Sequence, residues 1–190
     1  MKKLFFMLIL AVLVLSCAAA QQQQRPAAAE ISFTFTRQTG SASNQYAIWI
    51  ENAQGQHVKT LYATRWTANG GYRTRPASIP IWVRIFNLAN MGRDQIDAVS
   101  GATPRTGTVT YTWDGNYSAA SGTGSNGAPV PNGDYVLVLE GTLRWENQVL
   151  YRAPFRLGQG ASTPQVSVQY TGNSTEERGM ISDVVVRVFR

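Results

Sequence analysis

The chain has 190 residues, a formal net charge of +6 and a hydrophobic content of 44%. Its one histidine and one cysteine cannot form the His/Cys clusters that hold zinc, copper or haem, so those sites are excluded. The basic residues are scattered rather than massed, which argues against binding to nucleic acid.

The N-terminus has the pattern of an export signal. Two lysines precede an apolar run over residues 4–15, which is shorter than the ~20 residues of a membrane-spanning helix. The run ends in VLSC (residues 14–17), which resembles a bacterial lipobox; the alternative is an ordinary signal peptide cut near residues 18–20. Because a lone free thiol is unusual in an exported protein, we predict a lipoprotein signal over residues 1–16 and a lipid anchor on Cys17.

Residues 17–29, which include QQQQRPAAA, have no periodicity and predict a tether. The tether would hold the following domain off the periplasmic face of a membrane in the cell envelope. Strand patterns come next: residues 31–36 (ISFTFT) alternate apolar and hydroxyl side chains, and residues 46–50 (YAIWI) are continuously apolar. A turn over residues 52–56 then leads into a strand over 58–62.

The next segment is less regular. Pro76 and Pro80 argue against a regular helix, and we interpret residues 79–85 (IPIWVRI) as an edge strand. Residues 87–93 are expected to form a short helical turn.

The rest of the chain predicts a β-sandwich. Further strands are expected over residues 108–113, 135–140, 148–155, 165–170 and 183–189, with a mobile loop at 116–132 and a polar hairpin tip at 171–179. Trp49, Trp113 and Tyr135 are expected in the core. About nine short strands with almost no helical periodicity indicate one all-β domain over residues 30–190, an Ig-like antiparallel β-sandwich.

A loop of small residues precedes the strand over 108–113. Its sequence, Asp97-Ala98-Val99-Ser100-Gly101-Ala102-Thr103, resembles the flavinylation motif Asp-x-x-Ser-Gly-Ala-Thr of flavin-carrying subunits of bacterial sodium-pumping and related redox complexes. The resemblance implies a phosphoester between Thr103 Oγ and FMN, made from FAD by a separate, magnesium-dependent flavin transferase. It also implies that Asp97 orients the loop or helps to bind the metal of the transferase.

The residue types suit such a site. Gly101 and Ala102 leave room for a second protein, and Gly101 permits a bend with positive φ. Other acceptor sites continue with small hydroxyl residues, whereas Pro104 and Arg105 follow here, and Pro104 favours an extended Thr103.

A cofactor-free interpretation of the loop is also open. In it, Asp97 and Ser100 hydrogen-bond neighbouring backbone groups, and the loop only caps the sandwich.

A wider stretch, from residue 45 to 157, resembles the predicted periplasmic family called domain of unknown function 2271. The resemblance rests on YAIWIE (46–51), VKTL (58–61), DAVSGATP (97–104), WDG (113–115), VPNGDY (130–135) and Glu140. It implies an exported protein, often in the company of flavin transferases and PepSY-type membrane redox proteins. The segment over 113–135 also resembles Ig-like domains of flagellar hook-capping proteins, which supports the sandwich.

A basic segment lies between Glu51 and Asp94, where no acidic residue occurs. Two or three of its cations, converging near the loop, would hold a flavin phosphate or another anion. The alternative is a solvated face whose charges blunt edge strands. The six cations are Lys59, Arg65, Arg73, Arg75, Arg84 and Arg93.

Other chemistries have weaker support. His57 is the only near-neutral base, so a hydrolase would have to be built on it. For paired-carboxylate chemistry, Glu176 and Glu177 are expected to be solvated at a hairpin tip, while Asp94 and Asp97 flank a loop.

A calcium site is a further candidate. It would have to form around Asp114, Asn116 and Asp134, which lack the spaced acidic loop of known calcium sites.

Two functions therefore remain, and neither is an enzyme. The first is an electron-transfer module carrying covalent FMN on Thr103 and serving a membrane redox protein. The second is a cofactor-free structural or binding module of the cell envelope, which would use its basic segment or the loop over 116–132.

Overall fold

The computed structural model describes residues 26–40, 42–118, 127–173 and 175–190. The predicted signal, Cys17, most of the tether and part of the loop over 116–132 lie outside the described residues. The strands are β1 (Ala29–Phe35), β2 (Ala42–Asn52), β3 (His57–Thr64), β4 (Ser100–Gly101), β5 (Gly107–Trp113), β6 (Gly133–Arg144), β7 (Gln148–Leu157), β8 (Ser167–Thr171) and β9 (Ile181–Val188).

The strands form two sheets that pack as a sandwich, which confirms the predicted all-β class. One sheet has three strands in the order β5-β1-β9, and the other has six in the order β4-β3-β2-β6-β7-β8. The pairing is antiparallel except between β3 and the two-residue β4, which are parallel. β1 alternates as its sequence predicts, because Ile31, Phe33 and Phe35 are buried between the sheets.

The continuously apolar run of β2 is explained by a second core. Tyr46, Ile48 and Ile50 face the other sheet, whereas Ala47 and Trp49 face an outer layer of short helices and turns. A strand buried on both faces loses the apolar–polar alternation. Trp113 and Tyr135 are buried in the inner core, so all three aromatic core predictions are confirmed.

The outer layer is formed by the segment that connects β3 to β4 in the sequence. It consists of a π-helical turn (Thr67–Gly71), helices Tyr72–Thr74, Pro80–Ile85 and Arg93–Asp97, and a 3-10 turn (Leu88–Asn90). The predicted helical turn over 87–93 is confirmed by the 3-10 turn. Within the described ranges, no helix is long and apolar enough to cross a membrane.

The edge strand predicted over residues 79–85 is wrong. Pro80 is the first residue of a helix, a position where its missing N–H costs no intrahelical hydrogen bond. The N–H groups of Ile81 and Trp82, which have no partner within the helix, donate to the Glu140 carboxylate at 3.0 and 2.8 Å. A carboxylate on β6 therefore caps this helix.

The hairpin predicted over residues 171–179 is also wrong. β8 pairs with β7 at the edge of the six-stranded sheet, whereas β9 pairs with β1 in the other sheet. The connecting segment thus crosses from one sheet to the other. The turn over residues 52–56 is confirmed, since Asn52 Oδ1 accepts the N–H groups of Gln54 and Gln56.

Candidate functional site

The loop over residues 97–103, here named the motif loop, begins at the outer edge of the six-stranded sheet. Asp97 ends the helix Arg93–Asp97, and Ser100 and Gly101 form β4 alongside Ala63 and Thr64 of β3. The Ala63 N–H donates to the Val99 carbonyl at 2.8 Å. Because β5 lies at the edge of the other sheet, residues 102–106 link the two sheet edges.

Two hydrogen bonds fix the ends of this link. The Tyr62 hydroxyl donates to the Ala102 carbonyl at 2.7 Å. At the other end, the Arg37 N–H donates to Thr106 Oγ1 at 3.0 Å. Thr103 lies between these points and is partly buried, and none of the described residues hydrogen-bonds its hydroxyl.

Gly101 is required for space rather than for a left-handed backbone. Its φ is not positive, so the predicted bend with φ > 0 is wrong. Instead, a Cβ built on Gly101 would lie 2.5 Å from Cε2 of the Tyr62 ring, well inside van der Waals contact. The Tyr62 ring therefore packs so close to the backbone of Gly101 that a side chain at this position would force the ring or the strand to move.

Ser100 behaves differently from the cofactor-free interpretation. That interpretation has its hydroxyl bonded to a neighbouring backbone group, but the Ser100 Oγ is buried and has no hydrogen-bond partner among the described residues. A buried hydroxyl without a partner costs about 1–3 kcal/mol. The loop is therefore not closed by its own polar side chains.

An aromatic cluster lies beneath the loop. Tyr62 is 4.8 Å from Tyr111 and 5.1 Å from Tyr46, measured between ring centroids. The hydroxyls of Tyr46 and Tyr111 are 2.6 Å apart. Burial raises the pKa of all three phenols above its usual value, so the cluster stays neutral at physiological pH.

A cavity of about 360 Å³ adjoins the start of the motif. Its charged lining residues are Arg73, Arg93 and Asp97, and its apolar floor includes Leu88 and Ile96. Two guanidinium groups against one carboxylate leave a positive charge suited to an anion. The structure thus brings two of the six predicted cations to the motif.

The other four cations lie elsewhere. Lys59 forms an ion pair with Asp114 at 2.9 Å, and the Arg75 guanidinium donates to the Trp145 carbonyl. Arg65 and Arg84 are exposed and do not line the cavity.

The candidate calcium ligands are engaged with protein groups. Asp114 accepts hydrogen bonds from Asn116 as well as from Lys59, and Asp134 pairs with Arg156 at 3.3 Å. Across the described part of the chain, no cluster of three or more His, Cys, Asp or Glu side chains is placed to hold a metal.

The remaining polar candidates have structural contacts. His57 Nε2 lies 2.8 Å from Thr60 Oγ1, and burial lowers its pKa to about 4. Glu176 pairs with Arg144, as an exposed carboxylate can. Glu177 is not fully solvated as predicted: it is half-buried, and its Oε2 is buried with no hydrogen-bond partner among the described residues.

Tyr62 is the site residue that the sequence did not reveal. It lies in a strand with no motif of its own, and only the parallel pairing of β3 with β4 brings it against Gly101. A two-residue strand has no periodicity from which such pairing could be read.

Comparison with known proteins gives one match. A protein-family model described as "Predicted periplasmic protein (DUF2271)" matches residues 28–175, which is most of the chain and supports an envelope location. No curated protein and no solved structure matches the chain. The matched range contains β1 to β8 and the whole motif loop. The chain therefore belongs to the DUF2271 family of predicted periplasmic proteins.

Proposed function

We propose that this protein is a lipid-anchored electron-transfer module of the cell envelope that carries FMN on Thr103. A flavin transferase joins the Thr103 oxygen to the FMN phosphorus of FAD; the bond between the two phosphates breaks, AMP leaves, and the hydroxyl proton passes to a base. A membrane redox protein exchanges electrons with the flavin, and the protein itself turns over no substrate.

The observation that carries this proposal is the position of Thr103. Its hydroxyl has no hydrogen bond to a described residue, and it lies on a short link held at Ala102 and Thr106. An acceptor hydroxyl must be free of competing bonds and repeatably placed for a second protein to reach it. The link between the sheet edges leaves the Thr103 hydroxyl without a hydrogen bond to a described residue, and the bonds at Ala102 and Thr106 hold the backbone on either side of it.

The charge beside the motif supports the same function. Asp97, the first residue of the motif, shares its cavity with Arg73 and Arg93. Guanidinium groups bind phosphate oxygens through paired donors. During transfer they would attract the diphosphate of FAD, which carries two negative charges, toward this edge of the sandwich.

The test is flavin attachment in cells that also express a flavin transferase. We expect the intact mass to increase by one FMN less one water, and the protein to give a yellow, fluorescent band after denaturing electrophoresis. Thr103→Ala should abolish both signals, whereas Thr103→Ser should retain them. Thr108→Ala, an exposed threonine on β5, is the matched control and should remain flavinylated.

Unmodified wild-type protein under these conditions would refute the proposal. It would favour the cofactor-free module, in which Thr103→Ala changes neither stability nor binding to envelope components.

A further inference from the structure

The β6–β7 turn presents a tryptophan in an unusual conformation. Trp145 is 64% exposed, whereas Trp49, Trp82 and Trp113 are completely buried. Its φ of 56° lies in the left-handed region, which glycine and asparagine adopt readily and a bulky aromatic residue does not. An exposed indole at a strained position contributes nothing to the core, and it is available for a contact outside the chain.

Neighbouring groups hold this tryptophan in place. The Arg75 guanidinium donates to the Trp145 carbonyl, and the Arg144 guanidinium lies 5.7 Å from the centre of the indole ring. Asn147 Nδ2 donates to the Arg144 carbonyl at 2.8 Å, which closes the turn. The ring is therefore presented in a defined orientation, with one face occupied by Arg144.

Trp145 borders an open cleft of about 820 Å³ between the β6–β7 turn and residues 74–77, and no residue of the motif loop lines it. Its charged residues, Arg75 and Glu146, have opposite signs, so the cleft has little net charge. Its remaining walls are apolar or carry neutral hydrogen-bonding groups: Thr74, Pro76, Ala77, Asn147, Gly172 and Asn173.

We propose that this cleft binds a neutral saccharide, with Trp145 as the stacking platform. The C–H face of a pyranose ring is apolar and flat, as the indole surface is, while the ring hydroxyls require neutral donors and acceptors at its edge. Asn173 has both donor and acceptor groups on the cleft wall, and the Thr74 hydroxyl, which donates to the Gly71 carbonyl at 2.9 Å, provides an acceptor. The cleft has no net positive charge with which to bind a polyanion. It differs in this respect from the arginine-lined cavity beside Asp97.

The test uses the Thr103→Ala chain, so that its outcome does not depend on flavin attachment. Isothermal titration with N-acetylglucosamine oligomers and with cello-oligosaccharides, and co-sedimentation with purified peptidoglycan, provide the probes. We expect binding to at least one of them, weakened about tenfold or more by Trp145→Ala, as for an aromatic hot spot. Asn173→Ala should weaken it less. Trp66→Phe, at an exposed tryptophan outside the cleft, should bind like its parent.

The Trp145→Gly variant distinguishes loss of binding from loss of folding. Glycine relieves the positive φ, so this variant should unfold at a higher denaturant concentration than its parent while losing the saccharide. Absence of binding to every saccharide probe would overturn the proposal, and so would Trp145→Ala and Trp145→Gly variants that bind as tightly as their parent.

Discussion

The buried Glu140 and the partly buried His57 make the stability of the fold depend on pH in opposite directions. Burial raises the pKa of Glu140 to about 7, although the N–H groups of Trp82 and Ile81 oppose the shift. The native state therefore keeps this proton between pH 4.5 and about 7, where the unfolded chain releases it, so stability falls as pH rises through that window. Burial lowers the pKa of His57 to about 4, so stability falls as pH drops from 6.5 to about 4.

Because the two windows overlap, we predict a nearly flat stability profile for the wild type between pH 4.5 and 6.5. In Glu140→Gln, only the pH dependence caused by His57 remains, so the free energy of unfolding should rise with pH. In His57→Gln, the free energy of unfolding should fall as pH rises from 4.5 to about 7. The fall should be on the order of 3 kcal/mol, because the pKa of Glu140 is raised from 4.5 to about 7. Urea unfolding at pH 4.5, 5.5, 6.5 and 7.5 measures these slopes.

Glu146→Gln removes an exposed carboxylate and is the control for the loss of charge alone. Identical slopes in the Glu140 and His57 variants would contradict the assignment of these two groups.

At the scale of elements, the motif loop depends on the contact between β4 and the Tyr62 ring of β3. We predict that Gly101→Ala destabilises the fold by about 1–3 kcal/mol, because the new Cβ must displace the ring or the strand. Gly179→Ala, at a position with open space and no positive φ, should change stability by less than about 0.5 kcal/mol. Chemical denaturation compares the two.

A double-mutant cycle with Tyr62→Ala distinguishes this contact from a general effect of alanine. If the ring is the cause, Gly101→Ala should cost clearly less once Tyr62 is removed. Equal costs in both backgrounds would mean that the clash with Tyr62 is not the reason for glycine.

The elements predicted correctly from the sequence are those determined by residues close to one another in the chain. The alternation of β1 and the Asn52 turn follow from neighbouring residues alone, and both are confirmed. The helix Pro80–Ile85 was missed because its N–H groups are satisfied by Glu140, which is distant in the chain. The loop over residues 97–103 was identified from its own residues, but its packing on Tyr62 depends on a strand pairing that no local pattern encodes.

At the scale of the whole molecule, β9 completes the sandwich although it lies beyond the family match, which ends at residue 175. It pairs with β1 from Ala29↔Val188 to Phe35↔Ile181. Its buried side chains, Ile181, Val186 and Val188, are at most 1% exposed. Without β9, the central strand of the smaller sheet would become an open edge.

We therefore predict that a chain ending at residue 175 does not fold cooperatively. Burial of one Ile or Val side chain contributes about 1.5–3 kcal/mol, so the apolar residues of β9 together approach the net stability of a typical domain, about 5–15 kcal/mol. Near-ultraviolet circular dichroism and urea titration should show no fixed tertiary structure. A chain ending at Val188 loses the half-exposed Phe189 ring, the N–H bond of Phe189 to the Ala28 carbonyl and the contacts of Arg190, and it should remain folded. Cooperative unfolding of the chain that ends at 175 would show that the matched range is a domain without β9. Recovery of structure on adding a peptide of residues 176–190 would instead locate the missing stability in β-strand pairing.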